Sequence, residues 1–172
     1  SFPTRRSSDL RRSPDFEGGI TNRFAYKGFD LSFLFSFRSG GILTSNMHNG
    51  WMNTMQGTFN NLKIDYWTPE NTNARWPKPS VSGVGDNKKL LARYDASYLK
   101  LRNISLGYTI PQSFSRKYGI ESMRIYTTAY NLYTWFSSQY KKDGGIDPET
   151  SSTVDLNTPP TRSFIVGVNL SF

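Results

Sequence analysis

Hydrophobic and polar residues alternate along two stretches of the chain. In residues 29–38 the odd positions are all apolar, and of the even positions only Leu34 is apolar. Residues 163–172 repeat the pattern, with Ile165 as the one apolar residue on the polar side. The apolar side of this last stretch consists of Phe164, Val166, Val168, Leu170 and Phe172. Because successive side chains of a strand point to opposite faces, both stretches are predicted to be β-strands with one apolar face.

A third strand precedes the Phe-rich one and is predicted to form a hairpin with it. Residues 19–27 carry apolar side chains on one face, namely Ile20, Phe24 and Tyr26. A two-residue turn at Lys27-Gly28 pairs Tyr26 with Phe29 and continues in register from there. The apolar faces of the two strands then coincide, as a hairpin with one buried or lipid-facing side requires.

Two further strands are predicted between the long connections. In residues 97–110 the even positions from Ile104 onward are apolar, but Leu99 and Leu101 have the opposite parity. Either a β-bulge falls near Arg102-Asn103 or the upper part of the strand changes environment. Residues 122–136 are rich in Tyr, Thr and β-branched residues, which favour strands. Both faces of this fifth strand are mixed, so the sequence does not decide which of them faces outward.

The connections between these strands alternate between short and long. The short ones are Lys27-Gly28 and residues 111–121, where a helical turn over Phe114–Tyr118 is predicted to end at Gly119. The long ones, residues 39–96 and 137–162, are rich in Gly, Pro, Asn and charge. All long loops therefore lie at one edge of the sheet. That asymmetry is typical of outer-membrane β-barrels, which have short periplasmic turns and long extracellular loops.

The predicted fold class is all-β, with about five antiparallel strands of a transmembrane β-barrel. In hydrocarbon every backbone N–H and C=O must be paired, which only helices and closed barrels achieve. The smallest such barrels have about eight strands, so the barrel is incomplete in residues 11–172. The alternative fold is a soluble, carbohydrate-binding β-sandwich, whose strands also have one apolar face. A sandwich does not readily explain two long loops at the same edge.

Composition removes most enzyme and metal-site classes. The 172 residues include no Cys and a single His, His48, so disulfide scaffolds, thiolate metal sites and His-based triads are excluded or disfavoured. We therefore expect no catalytic residues, no cofactor and no metal. The net charge of +8 comes from scattered Lys and Arg without any nucleic-acid-binding module, so no nucleic acid is expected as a partner. Cations in loops and at the barrel rim are expected to meet anionic lipopolysaccharide.

The first ten residues have a separate origin in our interpretation. Ser1–Leu10 is SFPTRRSSDL, which matches in every residue the translation of a common short-read sequencing adapter. We interpret this segment as an assembly artefact and not as part of the natural protein. The natural reading frame is then expected to continue upstream.

From about Ser13 to Phe172 the chain resembles the C-terminal end of SusC/RagA-type TonB-linked outer-membrane proteins of Bacteroidota. The stretches that carry the resemblance, in family order, are Phe16–Leu31 (FEGGITNRFAYKGFDL), Tyr66–Asn71 (YWTPEN), Ser97–Pro111 (SYLKLRNISLGYTIP), Tyr130–Leu132 (YNL), Gly145–Glu149 (GIDPE) and Pro160–Phe164 (PTRSF). Each is weak alone, and their order and spacing make the match specific.

The resemblance implies a 22-stranded barrel with a plug domain and a TonB box upstream of this chain. It implies import of glycans or peptides across the outer membrane, energised through TonB, together with a SusD-like surface lipoprotein that helps capture the ligand. The alternative within this class is a siderophore or cobalamin importer. The YWTPEN and GIDPE stretches count against that alternative.

The alternating terminal strand is the first candidate site. The residues Phe164, Val166, Val168, Leu170 and Phe172 resemble the signal recognised by the barrel assembly machinery, which adds an exposed edge strand to its own sheet. The other interpretation is simply a last strand with an apolar end.

Aromatic residues in the long loops are the second candidate site. Trp51, Trp67, Trp76 and Tyr140 are candidates for contact with a substrate or a partner; the alternative is that they pack the loops together or lie at the membrane interface. Residues 143–147 carry two carboxylates but lack an EF-hand ligand pattern, so we predict a turn there. His48 is predicted to be a solvated loop residue.

Overall fold

The computed structural model describes residues 11–46, 48, 64–78, 88–149, 153–154 and 160–172. The adapter-like Ser1–Leu10 and the candidate Trp51 lie outside these residues. The chain divides into two compact units. The sheet unit comprises residues 18–37, 99–135 and 160–172, and the loop unit comprises residues 1–17, 38–98 and 136–159.

Strands dominate the described residues, in agreement with the predicted all-β class. The strands are β1 (Phe16–Tyr26), β2 (Phe29–Ser39), β3 (Ile42–Ser45), β4 (Arg93–Asp95), β5 (Tyr98–Thr109), β6 (Ser122–Phe136), β7 (Thr153–Val154) and β8 (Ser163–Ser171). The helices are α1 (Lys88–Leu91), α2 (Gln112–Ser115) and α3 (Ser138–Lys142), with a 3₁₀ turn at Arg116–Tyr118. Within the described residues, no helix is both long and apolar enough to cross a membrane.

The five predicted strands form one sheet in the order β1-β2-β5-β6-β8. The β1–β2 hairpin turns at Lys27 and Gly28, which both have positive φ, 46° and 86°. Two positive φ angles in a two-residue loop match the right-handed twist of the flanking strands. A Cβ on Gly18 would lie 3.1 Å from the ring of Phe37, so Gly18 and Phe37 lie side by side. Phe37 is the partner that the predicted pairing of Tyr26 with Phe29 assigns to Gly18. The predicted hairpin is therefore confirmed.

The side-chain alternation reverses within β5. Arg102 Nε donates to Ser36 Oγ at 2.9 Å, on the face of β2 that also carries Asp30. Gly107 has an odd number and Arg102 an even one, so a regular strand would place them on opposite faces. Gly107 nevertheless lies on the same face as Arg102, because a Cβ there would meet Asp30. A continuous strand can place residues of both parities on one face only if it contains an extra residue between them. Of the two open alternatives, the structure supports the bulge.

The register between β6 and β8 assigns the faces of β6. The antiparallel ladder runs from the Ser122–Ser171 pair to the Tyr130–Ser163 pair. Residues directly opposite each other in a ladder share a face. The odd positions of β6 thus lie beside the apolar side of β8, through the pairs Met123–Leu170, Ile125–Val168, Thr127–Val166 and Ala129–Phe164. This pairing decides the orientation that the mixed sequence of β6 left open.

The short connection between β5 and β6 has the predicted helical turn. It consists of α2 followed by the 3₁₀ turn, and it ends at Gly119 with φ 71°. Gly119 N donates to Arg116 O at 3.1 Å and Ile120 N donates to Ser115 O at 3.2 Å. This pair of bonds closes the helix end in the way that a glycine with left-handed φ permits.

The long connections contain secondary structure that their composition does not predict. Within the loop unit, β3 pairs with β4 in the antiparallel sense and with β7 in the parallel sense. Because β7 belongs to the second long connection, its pairing with β3 joins the two connections through the backbone. Leu43, Tyr94, Ala96 and Tyr140 form a buried core, with Phe136 packed against it. The loop unit therefore has its own small sheet and core.

Candidate functional site

The first candidate site, β8, is an edge strand of the five-stranded sheet with a strongly exposed apolar side. In the described sheet, β6 is its only neighbour. The exposed fractions are 69% for Phe164, 76% for Val166 and 85% for Phe172. Val168 and Leu170 are also exposed. An edge strand of this kind offers unpaired backbone groups and an apolar side to another strand.

The opposite face of the sheet carries a charged contact that spans three strands. Arg124 on β6 donates to Asp30 on β2 through Nε, at 2.9 Å, and through Nη2, at 2.5 Å. The strand between them, β5, presents Gly107 at this point. A Cβ at Gly107 would overlap both the Arg124 guanidinium and the Asp30 carboxylate, so the bridge needs a glycine beneath it.

The same polar row continues toward β8 over a second glycine. The Arg124 guanidinium lies 5.1 Å from the centre of the Tyr126 ring, within the range of a cation–π contact. Tyr126 in turn covers Gly167 of β8, where a Cβ would overlap the ring and the hydroxyl. The sheet thus has an apolar side and a side on which polar groups satisfy one another across strands.

The loop aromatics of the second candidate site are placed differently from one another. Trp76 and Tyr140 are buried in the loop unit, and Trp67 is half-buried. Trp67 N donates to Trp76 O at 2.8 Å, and Trp76 N donates to Asp65 O at 3.0 Å. Thr68 and Asn71 exchange backbone hydrogen bonds, at 3.4 and 3.0 Å, so the YWTPEN stretch contains a tight turn. For Trp76 and Tyr140 this burial favours the packing alternative over contact with a substrate.

His48 is buried, so the prediction of a solvated loop residue was wrong. Its ring lies between two polar partners, with Nδ1 2.7 Å from Ser45 Oγ and Nε2 2.6 Å from Asp143 O. A carbonyl can only accept, so Nε2 carries the proton that it donates to Asp143, and neutral Nδ1 accepts from the Ser45 hydroxyl. The ring also stacks on Trp76 with centroids 5.8 Å apart. Sequence alone gives no signal for this site, because Asp143 belongs to the other long connection.

Asp143 is the polar centre of the loop unit. Its carboxylate is buried and accepts from the Tyr94 hydroxyl at 2.8 Å and from Gln139 Nε2 at 3.0 Å. Arg75 Nε lies 3.3 Å from Asp143 Oδ2, an ion-pair contact without hydrogen-bond alignment. Burial raises the pKa of Tyr94, and the hydrogen bond to Asp143 raises it further. The Tyr94 hydroxyl therefore stays protonated and donates to Asp143. Segments from both long connections thus meet at one carboxylate.

The turn predicted for residues 143–147 is confirmed for its first part, at Asp143 and Gly144. Gly144 has φ 84°, Gly144 N donates to Lys141 O, and Gly145 N donates to Tyr140 O. These bonds end α3 in a Schellman motif. Gly145 also approaches the Tyr140 ring so closely that a Cβ would overlap it.

Known proteins similar to this chain are outer-membrane receptors. TonB-dependent receptor P3 of Formosa agariphila is 31% identical to this chain, over an alignment that covers 93% of this chain and 16% of that protein. TonB-dependent receptor SusC of Bacteroides thetaiotaomicron is 31% identical, over 90% of this chain and 15% of SusC. A structure of the RagAB peptide importer in its closed-closed state matches 95% of this chain with a TM-score of 0.73 and 26% identity. The chain belongs to the SusC/RagA-like TonB-dependent receptors. No protein-family model matches the sequence.

Membership of the SusC/RagA-like receptors gives the chain its location, the outer membrane. The chain spans about a sixth of the length of the curated receptors that it matches, 16% of P3 and 15% of SusC. These relatives are named as receptors and importers, which fits the expectation of a protein that is not an enzyme.

The burial of His48 predicts a pH dependence of the receptor's loop unit. Burial lowers the pKa of His48 below its ordinary value of 6.5, and the neighbouring Arg75 adds to this, while Asp143 opposes it. Below pH 6.5 the unfolded loop binds more protons than the folded loop, so local stability falls as the pH falls from 6.5 toward the lowered pKa. We expect amide hydrogen exchange in residues 138–149 of the receptor to accelerate over that range.

His48→Gln is the matched variant for this experiment, because glutamine can still donate to Asp143 O but does not titrate. Its exchange rates, corrected for the intrinsic effect of pH, are expected to stay flat where those of the parent rise. Equal pH responses in the two proteins would assign the effect to another group.

Proposed function

We propose that this chain forms a wall section of a TonB-dependent importer, with the five-stranded sheet in the bilayer. The observation that carries the proposal is the division of the sheet into an exposed apolar side and a side of internally paired polar groups. β1, β2 and β5 contain 11, 11 and 12 residues. A tilted strand needs about 9–11 residues to cross the hydrocarbon core, so these lengths fit a bilayer.

Exposed aromatic residues at both ends of the sheet support the same orientation. Tyr26 and Phe172 are exposed beside the short turns, and Tyr133 and Trp135 are exposed near the other end of β6. Outer-membrane barrels have an apolar band flanked by aromatic girdles at the two interfaces. A soluble sandwich would instead bury its apolar sides between two sheets.

The substrate we propose is a glycan or a peptide, captured together with a SusD-like lipoprotein. Support comes from the likeness to SusC and to the RagAB peptide importer. Energy would come through TonB, by way of a plug and a TonB box that have no counterpart among the described residues. The exposed edge of β8 is the proposed point of contact with the barrel assembly machinery.

A pair of arginine substitutions on neighbouring residues of β8 tests the membrane position. Val166→Arg puts a charge on the apolar side, where a lipid-facing arginine costs about 2–4 kcal/mol near the middle of the bilayer. Ile165→Arg puts the same charge on the opposite side, one residue away, where its partner across the ladder is the uncharged Thr128. In the full receptor we expect Val166→Arg to reduce the amount of folded protein in the outer membrane several-fold and Ile165→Arg to have little effect.

Gel mobility with and without heating measures folded barrel in isolated outer membranes. Equal amounts for the two variants would contradict a lipid-facing apolar side and would favour the soluble sandwich. A lipoprotein that co-purifies with the parent receptor in detergent would support the SusD-like partnership over a siderophore or cobalamin importer.

A further inference from the structure

The ends of three segments lie side by side at the edge of the sheet that carries the short turns. Gly28 O accepts from Thr109 N at 2.8 Å, which places the β1–β2 turn against the start of the β5–β6 connection. Glu121 N donates to Ser171 O at 2.8 Å, which places the end of that connection against the end of β8. We call this region, residues 26–29, 108–121 and 171–172, the short-turn end.

Exposed aromatic rings are concentrated at the short-turn end. Its exposed aromatic side chains are Tyr26, Phe29, Phe114, Tyr118 and Phe172. Phe29 packs on Tyr108 with ring centroids 4.4 Å apart, and Phe114 packs on Tyr118 at 5.7 Å. Rings held in this way, yet largely exposed, suit a layer that is partly apolar and partly polar, such as the headgroup region of a bilayer.

Three cations accompany these rings without carboxylate partners. Lys27, Arg116 and Lys117 are all exposed. Lys27 Nζ lies 5.2 Å from the centre of the Tyr26 ring, so its charge is held beside an aromatic face. No ion pair joins any of the three to a carboxylate of the described residues. The nearby Asp30 is already occupied by Arg124.

The short-turn end is therefore positively charged. Charged side chains occur in two of its segments, the β1–β2 turn and the β5–β6 connection. Together these segments contain three cations and one carboxylate, Glu121. A surface of exposed cations among aromatic rings is complementary to an anionic group that lies at the boundary of an apolar layer. Phosphodiester headgroups of anionic phospholipids have that chemistry.

We propose that the short-turn end binds the headgroups of anionic phospholipids through Lys27, Arg116 and Lys117. This inference rests on the proposed function, because the sheet must lie in the bilayer for its turns to reach a headgroup layer. The leaflet concerned is the one that faces the short turns. The rings of Tyr26, Tyr118 and Phe172 would occupy the adjoining acyl boundary.

The test compares the receptor with two triple variants in nanodiscs. One variant is Lys27→Gln/Arg116→Gln/Lys117→Gln. The matched control, Arg11→Gln/Lys78→Gln/Lys142→Gln, removes the same number of Lys and Arg charges from exposed residues of the loop unit. Nanodiscs contain phosphatidylglycerol and phosphatidylcholine in equal amounts, and native mass spectrometry counts the phosphatidylglycerol retained after the disc is removed.

The parent and the control are expected to retain phosphatidylglycerol preferentially. The short-turn variant is expected to lose this preference by about a hundred-fold, since each of the three cations near an anionic surface contributes about five-fold in affinity. Equal retention in all three proteins, or an equal loss in the two variants, would overturn the proposal. Displacement of the lipid by inorganic phosphate would also overturn it, because the site would then bind free phosphate.

Failure of the proposed function has a different outcome in this experiment. A parent receptor that does not insert into nanodiscs at all would refute the position of the sheet in a bilayer. A parent that inserts and shows heat-modifiable mobility, but retains no phosphatidylglycerol in preference, would refute only the headgroup site.

Discussion

Replacing Asp143 by alanine is expected to destabilise the loop unit by about 3 kcal/mol. The substitution leaves the Tyr94 hydroxyl and the Gln139 amide without their acceptor, and it leaves Arg75 without its counter-ion. Breaking a buried ion pair costs about 3–5 kcal/mol, and the lower end applies because the Arg75 side chain is 30% exposed. Arg75 also retains its hydrogen bond to Leu91 O, at 2.8 Å.

Hydrogen exchange of the full receptor measures this loss where it occurs. Residues 88–98 and 136–149 are expected to exchange faster in Asp143→Ala by roughly a hundred-fold, the factor that corresponds to about 3 kcal/mol. Glu70→Ala, which removes an exposed carboxylate from the same unit, is the control and is expected to change local stability by less than about 0.5 kcal/mol. Similar protection in the two variants would mean that Asp143 does not hold the connections together.

The second large effect is expected from Gly107→Ala in the sheet unit. The added Cβ would overlap the Arg124 guanidinium and the Asp30 carboxylate, so the bridge across β5 must move or break. Overpacking of this kind costs about 1–3 kcal/mol. We expect a lower unfolding temperature of the receptor in detergent and a smaller folded fraction after heating.

A double-mutant cycle with Arg124→Ala separates the overlap from other effects of the alanine. Once the guanidinium has been removed, the Cβ at residue 107 has space on one side. The Gly107→Ala/Arg124→Ala receptor is therefore expected to be little less stable than Arg124→Ala alone, with a coupling energy of about 1 kcal/mol or more. Strictly additive losses would show that Gly107 does not act through Arg124.

The sequence predicts the strands and the β1–β2 hairpin because their signals are local. Alternation in residues 29–38 and 163–172, broken only at Leu34 and Ile165, predicts both the strand and its apolar face, and Lys27-Gly28 predicts the turn. The fifth strand is different, because its two faces have similar composition, and its orientation follows from the pairing with β8 and from the contact of Arg124 with Asp30. The parity change in β5 is visible in the sequence, but the contacts of Arg102 and Gly107 were needed to distinguish a bulge from a change of environment.

The loop unit could not be predicted because its determinants are distant contacts. His48 and Asp143 are 95 residues apart in sequence and belong to connections whose composition indicates only loops. Polar residues in such stretches are expected to be solvated, and nothing local indicates that His48 is enclosed. The polar row of the sheet unit had a local signal that the sequence analysis did not use. A glycine inside a strand commonly marks a close approach by another group, and Gly107 and Gly167 both lie inside strands.

The bridge between Asp30 and Arg124 also constrains the order in which the sheet can assemble. Its partners are 94 residues apart and lie on strands that are separated by β5, so no hairpin can form it alone. Closing so long a loop has an entropic cost that neighbouring strand contacts must offset first. We therefore expect the ion pair to form late, after β2, β5 and β6 have come together, so that its formation would report that these three strands have reached their final register.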